Sequence, residues 1–260
     1  MTYANLLVQT QNGVHTITVN RPDKLNALNQ ATIAELHAAF AVARVAADVR
    51  VVVLTGAGPK AFVAGADIAE LAQATALQCR DFSRAGQQMM RSVELLGKPV
   101  IAMLNGFTLG GGMELAMACH LRYAADSAKL GQPEINLGVL PGFGGTQRLQ
   151  RLTSRAVALE LCLLGESISA ERAAQLGIVN RVFPAAELLE QVDKIAAKLA
   201  ASAPQALRGI LDAVLQGGEC ALDQGLEFET QTFGLIASSV DKAEGTRAFL
   251  EKRAAVFVGH

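Results

Sequence analysis

From Leu6 to Thr10 and again from Val14 to Asn20, apolar and polar residues alternate with the two-residue period of a strand, and Asn12-Gly13 between the runs is a strong hairpin signal. Two antiparallel strands are therefore expected to open the chain. After a loop over Arg21-Pro22-Asp23-Lys24-Leu25-Asn26-Ala27-Leu28 the period changes: Ile33, Leu36, Ala39, Phe40 and Ala43 recur at helical spacing and carry a helix to about Ala47. The β-branched run Val49 to Leu54, ending at Thr55-Gly56, reads as a central parallel strand. A long helix from about Leu77 to Leu96 leads to a second buried strand, Val100 to Leu104, bounded by Pro99. Leu121 to Ala124 and Gly177 to Val182 read as further strands. This alternation predicts a wound α/β core with right-handed crossovers. From Ala185 onward the pattern is helical, roughly Glu187 to Ala201, Pro204 to Leu215, Leu222 to Ser238 and Ala243 to Arg253. Such a run predicts a helical arm that packs on the core or on a second copy of the chain, dividing it into residues 1-195 and 196-260.

The candidate chemistry centres on Asn105-Gly-Phe-Thr-Leu-Gly-Gly-Gly-Met-Glu114, read as a strand, a tight glycine turn and a helix. Gly110, Gly111 and Gly112 can bring bare amides close to a ligand, and the first amides of the following helix have no internal partners. That arrangement suits an oxygen gaining negative charge. Glu114 lies three residues past Gly111, on the same face of the first turn. A first-turn glutamate also complements the helix dipole, so this stretch alone leaves both readings open. It lacks the Gly-Lys-Ser/Thr ending and the G-x-G-x-x-G spacing of nucleotide loops.

Two other stretches add to it. Gly58 to Asp67 is a loop that turns at Gly65-Ala66, where Ala66 offers an amide and Asp67 can cap a short helix from about Ile68. Gln132-Pro133-Glu134 runs toward Ile135-Asn136-Leu137-Gly138, an acid among apolar neighbours that is either a surface charge or a perturbed carboxyl. Pro141-Gly142-Phe143-Gly144-Gly145-Thr146 then turns into a helix from about Gln147.

Composition narrows the classes. A chain of 260 residues with 51% hydrophobic and 18% charged content can bury a full core, and its net charge of -1, with scattered Lys and Arg, carries no basic excess for nucleic acid. Cys79, Cys119, Cys162 and Cys220 stand about forty residues apart, and are expected to be buried thiols in a reducing compartment. His15, His37, His120 and His260 lack metal-ligand spacing, so no metal is expected. No basic leader or apolar run of about 20 residues is present. No membrane association is expected. The cytosol is the expected location, or an organelle matrix if a presequence was removed.

Two amides at separate turns, of Ala66 and Gly111, and two carboxylates, Glu114 and Glu134, suit acyl chemistry through an enolate. Hydrogen bonds that strengthen as the carbonyl oxygen gains charge lower the barrier, one donor being worth about 3 kcal/mol. Two carboxyls can divide the acid and base work.

These residues resemble the enoyl-CoA hydratase/isomerase, or crotonase, superfamily. Lys60-Ala-Phe-Val-Ala-Gly-Ala-Asp-Ile68 looks like its first oxyanion segment and Asn105 to Glu114 its second. Gly131-Gln-Pro-Glu134 to Gly144-Gly-Thr-Gln-Arg-Leu149 looks like its second acid loop, and the likeness runs from Arg21 to Arg253. The resemblance implies repeated β-β-α units, a C-terminal helical trimerisation region, and trimers or dimers of trimers. It implies an acyl-CoA thioester substrate with no separate cofactor, coenzyme A being part of the substrate. Ala66 and Gly111 would donate to the thioester oxygen; Glu114 would activate a water for the β-carbon, and Glu134 would deliver a proton to the α-carbon. Both glutamates present favours a short-chain hydratase over an isomerase or a hydratase of cyclic or dienoyl-CoA. An RNA binder or scaffold is the reading from another class. Lys24, Ala27, Ala64, Asp67, Ile68, Gly110, Pro133 and Gly142 would line the substrate, with Phe249 and Lys252 completing the coenzyme site, in some members from a neighbouring subunit. One departure is Ala69, where many members carry a lysine.

Overall fold

Asn12 and Gly13 turn the chain with φ of 51° and 80°, joining β1 (Leu6–Gln11) to β2 (Val14–Val19) as an antiparallel pair with Leu6 opposite Val19. The computed structural model describes Thr2 to His260. Helix α1 (Gln30–Val45) is capped by Asn29, whose side chain accepts from the Thr32 amide, and it buries Thr32 and the five apolar positions that set its period.

Three more units follow one plan, a strand in a large sheet, a short strand in a small sheet, then helix. β3 (Val51–Gly56) and β4 (Ala61–Val63) precede α2 (Ile68–Gln73) and α3 (Ala76–Glu94); β5 (Val100–Leu104) and β6 (Phe107–Leu109) precede α4 (Gly111–Ala118). β7 (Leu121–Ala125) and β8 (Lys129–Gly131) precede a 3-10 turn (Pro133–Leu137) and α5 (Gly145–Leu152). After α6 (Arg155–Leu164), β9 (Ser167–Ser169) and α7 (Ala170–Gln175), β10 (Arg181–Phe183) returns to the large sheet, and α8 (Leu188–Ala200) crosses it. The large sheet runs β1-β2-β3-β5-β7-β10 and is parallel from β2 onward; the small one runs β4-β6-β8-β9.

Every residue of β3 is buried because both faces are covered, which is why it reads as an unbroken apolar run. Val52 and Leu54 join the main core with α1 and α3, while Val51 and Val53 pack with Ile101 and Tyr123 against Leu188, Val192 and Ala196 of α8. Helix α8 therefore belongs to the core and spans the boundary expected at residues 195/196. Beyond it, α9 (Pro204–Gly217), α10 (Leu222–Ala237) and α11 (Val240–Leu250) form the helical arm. Helix α11 starts three residues before the expected Ala243, because Ser239 caps it by accepting from the Lys242 amide.

The small sheet is what the sequence pattern did not predict. Its strands are three residues long, too short to show a period, so the glycine turn leaves β6 rather than the end of β5. Nor are all the thiols buried: Cys119 is, Cys79 and Cys162 are half-buried, and Cys220 is exposed in the turn after α9. Among the described residues no helix is long and apolar enough to cross a membrane, and no cluster of three or more His, Cys, Asp or Glu could hold a metal ion.

Candidate active site

The three glycines between β6 and α4 answer three separate demands. Gly110 adopts φ 51° and ψ -124°, and a Cβ there would stand 2.8 Å from Oε1 of Glu134. At Gly111 a Cβ would lie 3.2 Å from the Phe143 ring and 3.5 Å from the Ala66 amide nitrogen, while at Gly112 it would collide with the Val63 carbonyl of β4. The chain is thus pressed against β4 on one side and opens toward Ala66 and Glu134 on the other. The Gly111 amide is the first of α4, without an intrahelical acceptor. At Ala66 the parallel bridge to Leu28 uses the Asp67 amide and the Gly65 carbonyl, so neither amide has a protein acceptor among the described residues.

Glu114 sits in the first turn of α4, 1% exposed. Its Oε1 accepts the amide of Phe143 at 2.8 Å and that of Gly145 at 2.6 Å. These two bonds favour the ionised carboxylate, but burial and the neighbouring Glu134 outweigh them and push the carboxyl up to about 8. Glu134 follows Pro133 in the 3-10 turn and burial pushes it up to about 7. Glu114 is buried and Glu134 half-buried, and the two carboxyls, both raised toward neutrality, titrate as a pair.

Gln132 is the residue that sequence reasoning passed over. It is fully buried, and in the amide orientation its surroundings satisfy it donates to both oxygens of Glu134, 3.1 Å from each. A lone polar residue between Gly131 and Pro133 carries no signal of this, because its burial depends on the small sheet and on Gly145 closing over it.

The structure gathers the other expected residues into two groups. Lys24 is exposed; Ala27, Ala64, Asp67 and Ile68 adjoin it through the Leu25 carbonyl with the Ala64 amide, 3.0 Å, and the Leu28 carbonyl with the Asp67 amide, 2.8 Å. Within this group Asp67 is already committed, bound to Arg21 at 2.9 Å and capping α2 through the Ala69 amide. Pro133, Gly110 and Gly142 belong to the loops around the glutamates; the Gly142 carbonyl accepts Ser83 Oγ at 2.5 Å and Gln87 Nε2 at 3.0 Å. Phe143 extends a wall from here: its ring meets Phe82 edge-on at 5.0 Å, and Phe82 lines a cavity of about 680 Å³ with Leu71, Ala74 and Cys79. Phe249 and Lys252 stand apart at the end of α11, Phe249 being 83% exposed.

A family model for enoyl-CoA hydratase/isomerase matches residues 9–260. The chain belongs to the enoyl-CoA hydratase/isomerase family. It is 42% identical to a short-chain-enoyl-CoA hydratase of Clostridium acetobutylicum, covering 96% of this chain and 95% of that protein. It is also 42% identical to a crotonyl-CoA hydratase of Syntrophomonas wolfei, over 99% of both. The crystal structure of an enoyl-CoA hydratase from Bacillus anthracis superposes with a TM-score of 0.96 at 41% identity, covering 98% of this chain and all of that one. The β-β-α units and the helical arm are therefore a family architecture, the crotonase-like fold. This fold brings Ala66, in the loop after β4, and Gly111, in the turn after β6, side by side.

Proposed function

We propose that the protein adds water reversibly to a 2-trans-enoyl-CoA, giving a 3-hydroxyacyl-CoA. The observation that carries this reading is the buried Glu114 with the half-buried Glu134, both raised into the neutral range, beside two amides without protein acceptors. In this reaction the amides of Ala66 and Gly111 hold the thioester oxygen and stabilise the enolate as charge reaches it. Glu114 and Glu134 share one proton near neutral pH and hold one water between them. One carboxylate takes a proton from the water as its oxygen bonds to the β-carbon; the other carboxyl gives its proton to the α-carbon of the enolate. Both events occur on one face, so addition is syn. The pair, rather than either residue, carries the acid-base function. Acid, base and oxyanion donors are all protein groups, so the only coenzyme needed is the one in the substrate.

The coenzyme lies in this reading along Lys24, Ala27, Ala64, Asp67 and Ile68, with Phe249 and Lys252 supplied by a neighbouring copy in a trimer or a dimer of trimers. Support comes from the arm, where Leu222, Phe233 and Leu235 of α10 are each 75% exposed and no residue of that helix is buried. The Phe82 and Phe143 wall supports a short acyl chain. The cytosol is the proposed location.

Hydration of crotonyl-CoA, followed as loss of the conjugated enoyl absorbance, tests the reading with Glu114→Gln and Glu134→Gln beside the wild type. Each variant is expected to lose about a hundred- to ten-thousandfold in kcat. Variants as fast as the wild type would remove the two-glutamate mechanism, and a gain of absorbance from a 3-enoyl-CoA without hydration would replace hydratase with isomerase.

A further inference from the structure

The two amides that hold Glu114 belong to the end of an irregular loop, and such a loop keeps its amides in place only when its own carbonyls are tied down. The Phe143 carbonyl accepts Nη1 of Arg148 at 2.7 Å. The same guanidinium gives Nε to Oε1 of Glu94 at 2.6 Å, with both side chains only 15% exposed, and the other oxygen of Glu94 takes Arg91 at 3.0 Å. A guanidinium is planar, so fixing Nε on α3 aims Nη1 at the loop. Gly144 leaves room for it: φ is 102° there, and a Cβ would collide with Arg148 Nη1.

We propose that Arg148, held by Glu94, is the positioning residue for Glu114, tying the Phe143–Gly145 loop to α3 and facing the carboxylate with positive charge. The proposal deepens the hydratase reading and, as a functional statement, rests on it. The titratable and charged side chains whose charge acts with that of Glu114 are Glu134 from the 3-10 turn, Arg148 from α5 and the Cys162 thiol from α6. The thiol is kept neutral, pushed up to about 11 by burial and by the two glutamates, and Glu94 of α3 stands behind Arg148. Arg148 is the one cation of this set. Its loss leaves burial and Glu134 unopposed by any side-chain charge, so Glu114 must hold its proton to higher pH.

The test is the titration of the Glu114 carboxyl by carbon-13 NMR on protein labelled at glutamate carboxyls, the signal being identified by its loss in Glu114→Gln. In Arg148→Gln the midpoint is expected to rise by about one pH unit, and in Arg148→Lys to return toward the wild-type value. In crotonyl-CoA hydration Arg148→Gln is expected to lose about tenfold in kcat with KM little changed, the scale on which partners one step removed from a functional group act. A merely structural role would lower the yield of folded protein without moving the midpoint. An unchanged midpoint in folded Arg148→Gln overturns the proposal; if that variant does not fold, Arg148→Met, equally uncharged and closer in length, decides in the same way, by a rise or by none. The titration needs no turnover, so failure of the hydratase reading and failure of this proposal are separate results.

Discussion

Gln132 donates its side-chain nitrogen to both carboxylate oxygens of Glu134 at 3.1 Å, from a position with no solvent exposure. A donor to the ionised form favours that form, so this contact acts against the burial that raises Glu134 to about 7. Gln132→Leu is expected to raise the Glu134 carboxyl further and to lower kcat for crotonyl-CoA by about tenfold, with the change read as a displaced limb of the pH-rate profile. A profile identical to wild type would show that the amide does not govern Glu134.

Folding couples to the same glutamates. An ordinary glutamate titrates near 4.3, while the folded protein holds the Glu114 proton to about 8. Between those values unfolding releases a proton, so stability falls as pH rises and levels off above about 8. Glu114→Gln lacks this loss and its amide oxygen can still accept from Phe143 and Gly145. Its melting temperature should match wild type near pH 4 and exceed it at pH 8, by an amount corresponding to a few kcal/mol. A difference that does not change with pH would contradict the raised carboxyl.

The Phe143 ring fills the space between Gly111 and Gly86, where a Cβ on Gly86 would collide with it, and it meets Phe82 edge-on. Phe143→Ala removes that wall. The variant is expected to gain kcat/KM for a medium-chain enoyl-CoA relative to crotonyl-CoA by about tenfold, the value of one or two methylenes in an apolar pocket. Steady-state kinetics across chain lengths checks it, and an unchanged ratio would place the acyl chain elsewhere.

Gly112 packs against β4 so closely that a Cβ would overlap the Val63 carbonyl. Backbone cannot yield as a flexible side chain can, so Gly112→Ala is expected to cost about 3 kcal/mol, or roughly 6 to 12 °C in melting temperature for a chain of this size. Thermal unfolding by calorimetry measures this directly. The variant should also be slow, because Gly111 and Glu114 are placed by the same turn.

Much of the architecture was legible along the chain. Repeating periods survive in sequence wherever an element is long enough to show them, as in α1, where the five apolar positions expected to face inward are buried, and in β3 and β5, buried on both faces. The Asn12-Gly13 hairpin and the Pro204 helix start were equally local, each set by one residue's backbone preference. The glycine turn and its glutamate could be seen for the same reason, as could the likeness carried by ordered motifs.

What lay beyond reach involved partners distant in sequence. The three-residue strands of the small sheet have no period of their own, and they are what bring Gly110 to Glu134 and cover Gln132. Arg148 stood in the sequence only as part of the second acid loop motif, and the fold set it between Glu94, 54 residues earlier, and the Phe143 carbonyl. Local composition therefore determined which elements form and which residues could do chemistry. Only the tertiary structure decided how deeply each glutamate is buried and what holds it, because desolvation and hydrogen bonding depend on everything packed around a group, most of it far away along the chain.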